Sequence, residues 1–98
     1  LDERLQDRFR PFPNGATAMG EMAKSREEDL IGCTQVTEIN YTEGVDLVDV
    51  LPLEFELNTD YTLGICTRSP HPEEARVLAD LLAGAASQAV RRQGGFEF

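Results

Sequence analysis

The chain has 98 residues, of which 41% are apolar and 28% charged, so it is one small domain or a piece of a larger one. Its 18 acidic and 9 basic residues give a net charge of −9. That charge opposes a nucleic-acid partner, because phosphate contacts need Lys and Arg. No apolar run approaches the roughly 20 residues that span a bilayer, which excludes an integral membrane protein.

The first 25 residues favour two helices. Apolar side chains spaced four apart predict a short amphipathic helix that two prolines end; the residues are Leu1, Leu5, Phe9, Pro11 and Pro13. A second helix is predicted over Ala16–Ser25, with Asn14 as its N-cap. Gly20 within that helix either weakens it by up to about 1 kcal/mol or allows close packing.

Four apolar segments predict β-strands. One is a short apolar run, another alternates apolar residues with Glu, and another contains a glycine typical of close backbone approach. The predicted strands are Leu30–Cys33, Leu53–Leu57 and Tyr61–Cys66, and Val45–Leu51 is predicted as a strand or an extended segment that Pro52 ends. Between the first two, Thr34–Ile39 leaves the strand end and is compatible with a helical turn.

The C-terminal part predicts two helices. Pro72 suits a first helical turn and two glutamates follow it, so a helix is predicted over Pro72–Leu82 and ended by Gly84. A last helix covers about Ala86–Gln93, closed by a Gly-Gly pair with Phe96 folding back. Because helices and strands alternate along the chain, the predicted fold class is α/β.

Few side chains favour catalysis or metal binding. His71 lies between two prolines without a neighbouring nucleophile, and no glycine-rich phosphate loop or zinc-ligand spacing occurs. The sequence therefore predicts no enzyme, no cofactor and no metal. Cys33 and Cys66 lie within predicted strands, which favours two buried free thiols, although export would permit a disulfide.

Two places favour a ligand site made of neutral donors. The start of the second helix offers unpaired N–H groups and a positive dipole end, which hold an anion without a cation. The residues just past the first predicted strand lie where ligands collect in open α/β sheets. An ordinary capped helix and a polar loop explain the same residues equally well. The candidate ligand-binding residues are Asn14, Gly15, Ala16, Thr17, Thr34 and Gln35.

Two parts of the chain, in this order, carry a resemblance to a known family. The helix Ala16–Ser25 followed by Asp29–Gly32 is similar to a helix and apolar strand of the molybdate-binding family of periplasmic solute-binding proteins. The later segments Glu73–Leu82, Gln88–Val90 and Gly95–Phe96 are similar to the closing helices of that family. The resemblance covers nearly the whole chain and places it in the C-terminal part of the family's fold.

The resemblance implies a fold and a division into lobes. The fold is a three-layer α/β arrangement of the type II periplasmic binding protein kind, present here in part. Residues 1–58 would belong to the second ligand-binding lobe, and residues 59–98 would return to the first. Main-chain amides at the start of Ala16–Ser25 would bind an oxyanion. The Tyr donor of the family falls nearest Gln35, where this sequence departs from the pattern.

The function implied by the resemblance is that of the solute-binding component of an ABC-type importer. It would capture a small-molecule ligand, an oxyanion such as molybdate, without chemical change. Its partner would be the membrane permease and its location periplasmic or extracellular, a membrane anchor being compatible with either. The alternative is the effector-binding domain of a transcriptional regulator with the same fold.

The resemblance also implies that apolar helix faces are uncovered in this chain. Leu78, Leu81, Leu82 and Val90 would then be exposed, and a second copy of the chain would cover them. We therefore expect the 98-residue chain to self-associate and to hold a ligand weakly by itself.

Overall fold

The computed structural model describes residues 3–98, which form helices joined by extended segments. The α-helices within this range are α1 (Gly15–Lys24), α2 (Val36–Tyr41), α3 (Pro72–Ala83) and α4 (Gln88–Gly94). Shorter 3-10 helices cover Glu3–Arg8, Leu53–Phe55 and Ala85–Ser87. The chain divides into two compact units, one that ends at Val48 and one that spans Asp49–Phe98.

Helix α1 forms where the sequence predicts it, within one residue at each end. The predicted N-cap is confirmed: Asn14 is extended, and its Oδ1 accepts a hydrogen bond of 2.8 Å from the Thr17 amide. Met19 on this helix is 3% exposed and is the one buried residue of the range 3–98. Helix α1 packs against α2, so the core of the first unit lies between these two helices.

The helix predicted at the start of the chain takes the tighter 3-10 form. Glu3–Arg8 is a 3-10 helix, and the Phe9 amide closes it with a hydrogen bond of 3.3 Å to the Gln6 carbonyl. Leu5 and Phe9 are both exposed, so their spacing does not bury them. Leu1, which begins the predicted pattern, lies outside the described residues.

Two glycines of the first unit differ in what surrounds them. Gly44, in the turn after α2, has φ +96°, and a Cβ placed on it would lie 3.2 Å from the Cβ of Ala23. A side chain there would be strained by the backbone and crowded by α1. Gly20 has open space where a Cβ would lie, so close packing does not explain this glycine.

The α/β prediction is wrong, because none of residues 3–98 is in a β-strand. The three-layer α/β arrangement of a type II periplasmic binding protein is therefore absent from the described part of the chain. The strand prediction fails at Leu30–Cys33, Leu53–Leu57 and Tyr61–Cys66, and Val45–Leu51, predicted as a strand or an extended segment, is not a strand. These segments are extended or irregular, except that Leu53–Phe55 is a 3-10 helix.

The strand prediction fails because a strand needs a neighbour as well as an apolar sequence. The pattern reports which side chains favour a buried face, whereas ladder hydrogen bonds come from an adjacent strand. Without that neighbour, Ile31 is 97% exposed and Val48 is 96% exposed. At Pro52 the backbone turns instead, and the Pro52 carbonyl accepts a 2.8 Å hydrogen bond from the Phe55 amide.

The exposure of the two cysteines has the same cause, the absence of neighbouring strands. Cys33 and Cys66 are both free thiols, as predicted, but both are exposed. Their predicted burial is wrong because the extended segments that carry them have no sheet to cover them.

Helix α3 in the second unit agrees with its predicted start and end. Pro72 lies in the first turn, and the Gly84 amide donates a 2.8 Å hydrogen bond to the Asp80 carbonyl at the C-terminus. Residues 63–66 run beside α3 and border an open, mainly apolar cavity of about 280 Å³. The apolar lining includes Leu63, Ile65, Leu78 and Leu82.

The last helix also forms, as the 3-10 turn Ala85–Ser87 followed by α4. Gly95 has φ +107°, a backbone conformation that residues with a side chain rarely adopt, and it reverses the direction of the chain. The Phe96 amide then donates a 3.0 Å hydrogen bond to the Arg91 carbonyl. The Phe96 ring packs edge-on against the Tyr61 ring, with 5.6 Å between the two ring centres. The predicted return of Phe96 is confirmed.

The predicted exposure of the C-terminal helix faces is confirmed. Leu78, Leu81 and Leu82 on α3 and Val90 on α4 each leave about half or more of their surface exposed. Each such side chain gains about 1.5–3 kcal/mol when it is fully buried, which favours association of these faces.

The two glycines predict opposite effects of the same substitution. Gly44→Ala should lower the free energy of unfolding by about 1–2 kcal/mol, because Ala is strained at positive φ and meets Ala23. Gly20→Ala should raise it by up to about 1 kcal/mol, because Ala favours an open mid-helix position. Thermal unfolding followed by circular dichroism measures both. Equal effects of the two substitutions would contradict this assignment.

The exposed helix faces predict self-association of the 98-residue chain. Light scattering at micromolar concentration should give a mass of a dimer or more. Leu81→Gln should reduce association, because it makes an exposed apolar position of α3 polar. Arg76→Gln, also exposed on α3, is the matched control and should leave association unchanged. A clean monomer at this concentration would be evidence against the prediction.

Candidate ligand-binding site

The start of α1 presents free backbone donors. Asn14 satisfies the Thr17 amide through its side chain, and its carbonyl accepts from the Ala18 amide at 3.2 Å. The amides of Gly15 and Ala16 donate no hydrogen bond within the described residues. They lie at the positive end of a ten-residue helix. Backbone donors in this arrangement suit an anionic or hydrogen-bond-accepting group.

The structure brings the two predicted parts of the site together. A Cβ placed on Gly15 would overlap Thr34 Oγ1 and Glu38 Oε2, and would lie 2.8 Å from Glu38 Cδ. Thr34 therefore lies directly against the first residue of α1, although 18 residues separate the two in sequence. A side chain at residue 15 would require the side chains of Thr34 and Glu38 to move aside, and glycine allows this close approach without such a shift.

A carboxylate that the sequence did not single out lies at the same place. The Thr34 hydroxyl donates a short, partly buried hydrogen bond to Glu38 Oε2. Glu38 belongs to α2 and also lies against Gly15 of α1, so its side chain links the two helices of the first unit. The spacing of four between Thr34 and Glu38 is the signal that could have suggested the pair, because residues four apart lie close together wherever the chain is helical.

A groove of about 970 Å³ opens beside this contact, within the first unit. One part of its lining is apolar and includes Phe9, Phe12, Met19 and Leu30. Charged side chains of both signs complete it: Asp7, Arg8, Arg10, Glu21, Lys24, Glu27 and Asp29. The groove is thus neither strongly cationic nor strongly anionic.

The six predicted residues are placed unequally around the groove. Asn14, Gly15 and Thr34 line it. Ala16 and Thr17 belong to the first turn of α1 and are exposed. Gln35 is also exposed and precedes α2, where its carbonyl accepts from the Glu38 and Ile39 amides at 3.0 and 3.2 Å. The start of α1 and Thr34 therefore form the part of the predicted site that faces the groove.

An ion pair borders the groove. Both terminal nitrogens of Arg10 donate to the two carboxylate oxygens of Glu27, each at 3.0 Å. This hydrogen-bonded pair holds the pKa of Glu27 below its ordinary value. Both side chains are about half exposed, so solvent screens the pair and its contribution to stability is small. The terminal nitrogens of Arg10 therefore already donate to Glu27.

Two further side chains of the described range, those of Arg91 and His71, lie outside the groove. Arg91 donates to the carbonyls of Ala83 and Gly84, at 3.2 and 2.9 Å, and so caps the end of α3. Its guanidinium also lies 4.5 Å from the centre of the Phe98 ring. His71 is exposed just before α3.

Within residues 3–98, no group of three His, Cys, Asp or Glu side chains is placed to hold a metal ion. None of the described helices is long and apolar enough to cross a membrane.

Comparison with known proteins gives one family and one relative. The profile of the family described as bacterial extracellular solute-binding protein matches residues 1–97. A relative from Pseudomonas sp., named aconitate isomerase, is 30% identical over 95 residues. That alignment covers 96% of this chain but 35% of the relative, so the chain spans about a third of the relative's length. No solved structure gives a significant match.

The family match confirms the predicted relationship to solute-binding proteins, at the level of the family. It extends across both compact units and includes every candidate ligand-binding residue. The chain belongs to the bacterial extracellular solute-binding protein family.

Proposed function

We propose that this chain is the part of an exported solute-binding protein that captures a small anion, an oxyanion or a carboxylate, at the start of α1. The supporting observation is that Gly15, whose amide is open, lies beside Thr34 at the groove, and that the open amide of Ala16 follows in the same helical turn. Family membership supports a small-molecule ligand. The protein releases the ligand unchanged to the permease of an ABC-type importer, in the periplasm or outside the cell.

Neutral donors perform the capture in this proposal. The amides of Gly15 and Ala16 point from the positive end of α1, and Asn14 keeps them in place by capping the same turn. Hydrogen bonds from fixed neutral donors hold an anion without forming an ion pair. Fixed geometry also selects ligands by size, so molybdate is one candidate and a small carboxylate is another.

The name of the relative supports a carboxylate as the second kind of ligand. That protein is named for an activity on aconitate, and its alignment covers almost all of this chain. A second candidate function follows: isomerisation of a bound carboxylic acid. Such a reaction needs an acid–base group near the substrate, and Glu38 is the carboxylate in contact with Gly15. The family match favours an importer component over the effector domain of a regulator.

Gln35 provides a test of the second part of the site. In the intact protein, Gln35→Ala should weaken binding of molybdate or aconitate by more than about 0.5 kcal/mol, the lower worth of a hydrogen bond. Isothermal titration calorimetry measures the change. Gln6→Ala is the matched control, because Gln6 is also an exposed glutamine but is not one of the predicted ligand-binding residues. A change below that limit would remove Gln35 from the list of ligand contacts.

Turnover assays separate capture from catalysis. We expect no hydrolase, transferase or aconitate isomerase activity, because no nucleophile–base pair occurs in the sequence. Aconitate should be recovered unchanged after incubation with the intact protein, as judged by chromatography. If turnover occurs and disappears in His71→Ala, His71 is catalytic and this prediction is wrong. Turnover lost in Glu38→Gln would establish the isomerase instead.

A further inference from the structure

The segment between the first 3-10 helix and α1 runs along α1. Residues 9–13 are in no helix or strand, and they lead directly into Asn14, the N-cap of α1. At the other end of the segment, Arg10 reaches Glu27, which lies two residues past Ser25, the C-cap of the same helix. This segment, which we call the strap, therefore extends from the start of α1 to its end, and its residues 9–12 line the groove.

The strap has to be nearly extended to cover this distance. Helix α1 has ten residues and is therefore about 15 Å long. The chain from Arg10 to Asn14 spans at most about 14 Å when it is fully extended, so the Arg10 side chain supplies the remaining reach to Glu27. Pro11 and Pro13 fix φ within this segment, which keeps it extended and stiff.

Few contacts hold the strap in place. Within residues 3–98, the hydrogen bonds of residues 10–13 are the two that Arg10 donates to the carboxylate of Glu27. Phe9 and Phe12 are 50% and 40% exposed, so packing covers only part of each ring. Both charged side chains of the ion pair are also about half exposed, and solvent weakens their attraction. Breaking this one ion pair therefore frees residues 10–13 from their hydrogen bonds to the rest of the described chain.

We propose that the strap is a lid on one side of the groove and that the Arg10–Glu27 ion pair is its latch. When the pair breaks, the strap swings about its junction with α1 at Asn14 and opens the side of the groove that residues 9–12 line. Because the latch is one half-exposed ion pair, thermal motion populates the open form, and salt raises that population by screening the charges. The device depends on no particular ligand, so it goes beyond the proposed function.

The test is the rate at which chymotrypsin cleaves the intact protein after Phe9, followed by mass spectrometry. The bond after Phe9 is open to this protease, whereas the bond after Phe12 is protected by Pro13. Cleavage of a folded protein follows the population of its open form. Glu27→Gln removes the charge from the latch and leaves the cleavage site unchanged, so it should raise the rate about two- to five-fold. An unchanged rate would overturn the proposal.

Two comparisons separate the latch from a general effect. Glu28→Gln makes the same change of net charge at the next residue, which is exposed and has no hydrogen bond or ion pair within the described chain. Its rate of cleavage after Phe9 should stay within about 1.5-fold of wild type. Tyr41 is 90% exposed and provides a reference cleavage site in the same digest. An equal gain in Glu28→Gln, or a parallel gain at Tyr41, would overturn the proposal. Circular dichroism checks that each variant is folded.

The salt dependence of the wild type covers the case in which Glu27→Gln does not fold. In about 1 M sodium chloride the screening length falls to about 3 Å, so cleavage after Phe9 should accelerate relative to cleavage after Tyr41. In a folded Glu27→Gln variant the same ratio should not change with salt, because the charge of the latch is already gone. A wild-type ratio that stays constant with salt, or that rises equally in the variant, would overturn the proposal.

Discussion

The first unit depends on the close approach of Gly15 to the Thr34–Glu38 pair. This contact joins the start of α1 to α2, and a side chain at residue 15 would displace the side chains of both partners. The same approach leaves the first amides of α1 beside a groove. Packing and the candidate site therefore share a cause, and a substitution that separates the two helices would damage both.

The helices of this chain follow from local signals, and the sequence predicts them well. Asn14 caps α1 as its side chain suggests, and Pro72 and Gly84 mark the ends of α3. These signals act within one or two turns, so neighbouring residues in sequence decide them. The contact of Thr34 with Gly15 joins residues far apart in sequence. The residue types in this contact suggested a site, but the contact itself could not be predicted without knowing the fold.

The strands are where the prediction from sequence fails, and the reason is physical. Segments such as Leu53–Leu57 and Tyr61–Cys66 have the composition of strands, but ladder hydrogen bonds require a neighbour. Within residues 3–98 that neighbour is missing, and the apolar side chains stay exposed. The spacing of four could have suggested the pair of Thr34 and Glu38, but the contact of Glu38 with Gly15 depends on how α1 packs against α2, which the sequence does not report.

Membership of the solute-binding family gives these features a common interpretation. A protein that captures and releases a solute needs donors that are held in place but not satisfied internally, and the start of α1 has that property. That the solute is an anion remains our proposal.

The most direct test of the central claim is a crystal structure of the intact protein soaked with molybdate, using the anomalous scattering of molybdenum to locate the ion. We expect an anomalous peak beside the start of α1, with a molybdate oxygen within hydrogen-bonding distance of the Gly15 and Ala16 amides. A molybdate ion bound elsewhere, with no contact to these amides, would contradict the proposed site.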